Sequence, residues 1–117
     1  MSIAVGLHEL RDKMGEFHTD PYLLTVSDDG RAHSVAVAIA WDGDEILIGA
    51  GNTSRRNAGA RSLVALLWPP NSSGEFSLIV DADAKRIDDT QVWLEPTRAV
   101  LHRPAPSGDG SDCQPVL

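Results

Sequence analysis

The sequence is poor in the residues and patterns that would announce a function directly. It has one cysteine, Cys113, close to the end of the chain. No internal disulfide can form, and nothing asks for an oxidising compartment. No stretch approaches the roughly 20 apolar residues that cross a bilayer, and the first residues lack a basic segment followed by an apolar run. Neither a membrane nor an exported protein is expected, and the cytoplasm is the expected location. Basic residues are also few: 10 Lys and Arg stand against 17 Asp and Glu, for a net charge of −7. Such a surface repels phosphate backbones on average, so nucleic acid is not an expected partner. The four histidines show no His-x-x-x-His spacing, and no metal site is expected. There is no Gly-x-Ser-x-Gly elbow, and no catalytic residue can be singled out.

What is present reads as one soluble domain. A chain of 117 residues favours a single core, and 42% hydrophobic with 23% charged residues suits an ordinary globular protein. The domain is expected over residues 1–104. The remaining residues, 105–117, are proline, glycine, serine and acid without periodicity and read as a flexible tail.

Leu7, Leu10, Met14 and Phe17 recur at spacings of three and four, which predicts a leading amphipathic helix over residues 5–17. Pro21 ends it. Tyr22 to Val26 is β-rich, and Asp28-Asp29-Gly30 favours a tight hairpin turn. A long strand from Arg31 to Trp41 and a third from Glu45 to Ala50, joined through Asp42-Gly43-Asp44, predict an antiparallel meander. A short inserted helix is expected over residues 54–61. Leu63 to Trp68 is a continuous apolar run, suited to a strand buried on both faces. Further strands are expected near 76–84, 91–94 and 98–102, the last two separated at Pro96. The whole predicts a mainly β protein: a six- to seven-stranded antiparallel split barrel with a leading helix and one short inserted helix.

Two patterns bear on chemistry. No acid occurs between Glu45 and Glu75, and that window holds Arg55, Arg56 and Arg61 beside a glycine-bearing turn at Gly49-Ala50-Gly51. Free N–H groups and the dipole at a helix start favour an anion, and arginine adds a planar fork for phosphate oxygens. The alternative is a solvated helix with its arginines in water. In the second strand, Val35, Val37, Ile39 and Trp41 share one face while Ser34, Ala36, Ala38 and Ala40 share the other. The row of small side chains admits a flat ring system, a helix or a second subunit. Trp68, ending the apolar run, either borders a pocket or sits in the core. His33 is either a surface histidine or a donor beside a ligand.

The order of these pieces is specific. Leu-Thr-Val-x-Asp-Asp-Gly-Arg-x-His at 24–33, Trp-Asp-Gly-Asp at 41–44, Ala-Gly-x-x-Ser-Arg-Arg-Asn at 50–57 and Val-Ala-Leu-Leu-Trp-Pro-Pro at 64–70 follow one another with short spacers. Over roughly residues 20–103 the chain resembles the pyridoxamine 5′-phosphate oxidase-like split-barrel flavoproteins, including their actinobacterial deazaflavin-dependent branch. The resemblance implies a homodimer with FMN, or alternatively the deazaflavin coenzyme F-420, bound at the subunit interface. It places the cofactor phosphate on Thr53, Ser54, Arg55, Arg56 and Asn57, and the ring system beside Ser34, Val35 and Ala36, with Trp68 as a further contact. Ser54 stands where many members carry a lysine, which leaves the grip on the two arginines. The implied activity is an oxidoreductase moving a hydride to or from a small organic substrate. A non-catalytic flavin-binding, storage or sensing module of the same fold is the alternative.

Overall fold

In a computed structural model, which describes residues 1–105, the expected mainly β architecture is present. The predicted tail beyond Ala105, with Cys113, lies outside the described residues. In chain order the elements are β1 (Ser2–Val5), a 3₁₀ turn (Leu7–Glu9), α1 (Leu10–Met14), β2 (Tyr22–Val26), β3 (Ala32–Ala36), β4 (Ile39–Asp42), β5 (Glu45–Gly49), α2 (Asn52–Ala60), β6 (Leu63–Trp68), β7 (Ser77–Ile87) and β8 (Gln91–His102). All strand pairings are antiparallel, in the order β3-β2-β6-β7-β8-β5-β4, with β1 added alongside β8.

That order is why the sheet closes. β3 and β4 lie at opposite ends of it, yet only Val37 and Ala38 separate them in sequence. Seven flat strands would put the two ends roughly 29 Å apart at their usual spacing. Three Cα steps from Ala36 to Ile39 reach only about 11 Å. The sheet must therefore curl until its ends meet. Val37 secures the junction, turning its side chain into the core while its N–H donates to the Pro21 carbonyl at 3.0 Å.

This geometry corrects the predicted meander. The stretch 31–41 keeps its alternation of faces but is two strands, β3 and β4, which pair with β2 and β5 respectively and not with each other. The hydrophobic period survives the break, so sequence periodicity carries no sign of it. The predicted leading helix is also shorter. Leu10 and Met14 are buried as its stripe requires, but residues 2–5 form β1 against β8, where Ser2 pairs with His102 and Val5 with Ala99.

The two strands expected around Pro96 are one, β8. Its register with β7 slips between Asp81 and Ala82, which face Arg98 and Pro96 and leave Thr97 as an extra residue. On its other side β8 pairs with β5 over Gln91–Leu94 and with β1 over Ala99–His102. Pro96 falls between these ladders, at a bulge where its missing N–H interrupts nothing.

The interior is filled by the inward faces of the strands. Leu23, Ile46, Ile48, Leu66, Leu78, Val80, Val92 and Leu94 are completely buried. At the β7–β8 turn, the Asp88 carboxylate accepts the backbone N–H groups of Thr90 at 2.9 Å and Gln91 at 2.8 Å. These bonds, that to Thr90 foremost, favour the charged carboxyl and lower its pKa.

Two outcomes follow. Leu66→Ala should lower unfolding stability by about 2–5 kcal/mol in urea titrations with an unchanged slope, because the closed barrel collapses poorly around a cavity. Asp88→Ala should lower Tm above about pH 4, where the turn carboxylate is charged in both folded and unfolded chains. Because the folded group titrates lower, its stabilisation is lost as pH falls through the folded pKa. The wild-type and variant melting curves should therefore converge in stronger acid.

Candidate functional site

Where the barrel ends meet, β3 faces the segment that enters α2. Between them lies a cleft of 350 Å³, lined by His33, Val35, Ala36 and Val37 on one side and by residues 49–54 on the other. The predicted ring-side and phosphate-side segments thus come together, though not residue for residue. Val35, Ala36, Thr53 and Ser54 line the cleft. Ser34 points to the outer sheet face, opposite Leu24. Trp68 is buried at 2% exposure, pairs with Leu78 and belongs to the core.

α2 is nine residues long and begins without a side-chain cap or an acid in its first turn. Its first internal bond runs from the Arg55 N–H to the Gly51 carbonyl at 3.0 Å. The N–H groups of Asn52, Thr53 and Ser54 therefore have no partner within the helix, and they start it with the positive end of its dipole. Gly49 and Gly51 complete the wall. Neither has a positive φ, and an added Cβ at either would meet nothing within 4 Å. Backbone strain does not require glycine there, and the missing side chains leave the wall low.

The three arginines of the acid-free window have different occupations. Arg55 folds back, donating to the Ala50 carbonyl at 2.6 Å and to Asn52 Oδ1 at 2.5 Å, and so braces the loop ahead of its own helix. Arg61 reaches Asp28 at 3.0 Å and ties the end of α2 to the β2–β3 hairpin. Arg56 is exposed, and its guanidinium makes no ion pair or hydrogen bond among the described residues. Neither of the two arginines expected to grip an anion lines the cleft, and Arg56 is the one whose guanidinium is not already committed to the loop.

Asn57 has a different position from the one its motif suggested. It is fully buried on the inner face of α2, where its Nδ2 donates to Thr25 Oγ1 at 3.1 Å and Ser27 Oγ at 3.2 Å. It docks the helix on β2. Among the described residues its Oδ1 has no partner, and neither does the buried Nδ1 of His33. His33 is the register partner of Thr25, so both orphan atoms flank the same threonine. His33 alternates with Val35 and Val37, which face inward, and that alternation is the sequence signal of its place in the cleft.

Among the described residues, no group of three or more His, Cys, Asp and Glu side chains is arranged to hold a metal ion. No helix there is long and apolar enough to cross a membrane.

The fold defines the class, a split-barrel β protein. A solved F420 reductase superposes with a TM-score of 0.61 at 17% identity, covering 75% of this chain and 94% of the other. At that identity the likeness is one of fold. In sequence, the chain is 40% identical over 100 residues to uncharacterized proteins of Mycobacterium bovis and Mycobacterium tuberculosis, covering 72% of this chain and 70% of each relative. The chain belongs to the same family as these mycobacterial proteins. No protein-family model matches it.

Asn57→Ala should cost about 1–3 kcal/mol, the range for losing a buried hydrogen-bonding partner. Amide exchange along α2 should rise with it, because the helix loses its polar contact with β2. An unchanged denaturation midpoint would show that α2 is held by other contacts.

Proposed function

We propose that this protein is an oxidoreductase that binds a deazaflavin-type cofactor in the cleft between β3 and the start of α2. The observation that carries the reading is the meeting, in one cleft, of an uncapped helix start, a low glycine wall and a strand bearing Val35 and Ala36. The fold shared with an F420 reductase supports it and favours the deazaflavin over FMN.

The residues present fit such a group. The free N–H groups of Asn52, Thr53 and Ser54 would hold its phosphate, and the Arg56 guanidinium, which lies outside the cleft lining, would reach in as a charge-assisted donor. Val35 and Ala36 would flank the ring system, and the His33 Nδ1 would gain a polar partner in place of none. A deazaflavin supplies the hydride chemistry itself, and a protein around it binds, orients and excludes water. That division of labour suits a cleft whose lining contains His33 as its one titratable side chain. The same scarcity supports the second reading, a carrier or sensor that binds the cofactor without turnover.

Titration of the protein with oxidised coenzyme F-420 and with FMN, followed by fluorescence, tests the proposal. F-420 should bind saturably at micromolar levels. Arg56→Ala should weaken it about tenfold or more, the value of one charge-assisted contact. Gly49→Ala should weaken it while leaving Tm unchanged. If neither cofactor binds, the reading fails. If F-420 binds but no test substrate is reduced, the carrier reading replaces the enzyme.

The protein should also act as a homodimer. β6 was expected to be buried on both faces, and this chain covers one of them. Val64, Leu66 and Trp68 are inside, whereas Leu63 is 75% exposed and Ala65 and Leu67 are half-buried. Tyr22 and Val26 extend that outer apolar face on β2, and Leu24 and Ser34 connect it to β3. A second copy seated there would lie on the outer side of the strand that lines the cleft. Wild-type protein should sediment as a dimer and Leu67→Asp as a folded monomer. A monomeric wild type would overturn this part.

A further inference from the structure

A cavity larger than the cleft lies elsewhere. It occupies 740 Å³ between α1, the β4–β5 hairpin and the middle of β8, and shares no lining residue with the cofactor cleft. Its volume is well inside the usual range for small-molecule sites. Leu7, Trp41 and Pro96 give it apolar surface, and Leu7 is 48% exposed. Asp12, Asp44 and Glu95 add carboxylates to the lining. Glu95 has an exposed Lys85 at 3.7 Å, while Asp12 and Asp44 make no ion pair among the described residues.

Carboxylates alone would be a solvated rim. The second feature is a flat cation already held on the aromatic surface. The Arg11 guanidinium carbon lies 4.5 Å from the centroid of the Trp41 ring, and Arg11 donates to the Gly43 carbonyl at 2.8 Å. Arg11 thus shows what this wall accepts: a planar, delocalised cation that stacks on the indole and hydrogen-bonds the turn carbonyl. Arg11 is itself exposed. Against its single charge the lining sets Asp12 and Asp44, with Glu95 already paired to Lys85, so a second cation is favoured over a neutral molecule of the same shape.

We propose that this cavity is a second binding site, for an organic cation that joins a flat amidinium or guanidinium group to an apolar body. The cation takes the place of Arg11 on Trp41, and the apolar body covers Leu7 and Pro96. The site stands independently of the deazaflavin reading, because it uses different residues.

The test uses the full chain, with benzamidinium as the probe and neutral, isosteric benzamide as the control, followed by ¹H–¹⁵N NMR. Benzamidinium should shift the Trp41 indole N–H and the Gly43 amide saturably below about 10 mM, the affinity range of a single weak anchor. Benzamide should not shift them. The paired substitution Asp12→Asn with Asp44→Asn should weaken binding about fivefold or more, and added salt should do the same. Arg11→Ala removes the internal competitor and should tighten binding about threefold. These substitutions are at exposed positions, so folding is retained. Equal shifts with benzamide, unsaturable shifts scattered over the acidic surface, or weaker binding in Arg11→Ala would each overturn the proposal.

Discussion

The structure depends on a two-residue connection. Val37 and Ala38 join the first and last strands of the main sheet, so the sheet has no flat alternative. Closure brings β3 against the segment leaving β5, and that segment runs straight into α2. The cleft is therefore a product of topology. It exists because the chain crosses from one edge of the sheet to the other at a single short joint, and its walls come from the strand before the joint and the loop two strands after it. The helix is held in place from beneath by one buried amide, Asn57, on two hydroxyls of the β2 segment.

Electrostatics then sets how strong an anion site can be. The acid-free window suggests a concentrated positive patch, but two of its three arginines are tied to the fold, Arg55 to the Ala50–Asn52 loop and Arg61 to Asp28. What remains at the cleft is the helix dipole and three N–H groups, with Arg56 uncommitted but outside the lining. An anion held there would rely on backbone donors more than on side chains. Ser54 is buried at 2% exposure and adds no charge.

Much of the architecture was legible because it follows from local patterns. The Asp-Gly turns, the hairpin pairs they join and the presence of α2 each rest on interactions a few residues apart, although α2 begins at Asn52, two residues before its expected start. The order of the strands across the whole sheet was not legible. β3 and β4 carry one unbroken alternation, and nothing local says that the chain changes edges at Val37. Pro96 misled for a related reason: a proline breaks a strand only where its N–H is needed, and the gap between the β5 and β1 ladders on β8 removes that need. Within the site, sequence order located the two walls but not the direction of each side chain. Asn57 and Ser34 were expected at the cofactor yet point away from the cleft, whereas His33 points toward it.

Amide hydrogen exchange with and without oxidised coenzyme F-420 tests the central claim most directly, because it reports where the ligand sits without relying on turnover. Protection should be confined to two segments far apart in sequence, residues 33–37 and residues 49–54, the second of which includes the start of α2. Binding that protects neither segment, or protects only one of them, would contradict a cleft formed by closing β3 onto the start of that helix.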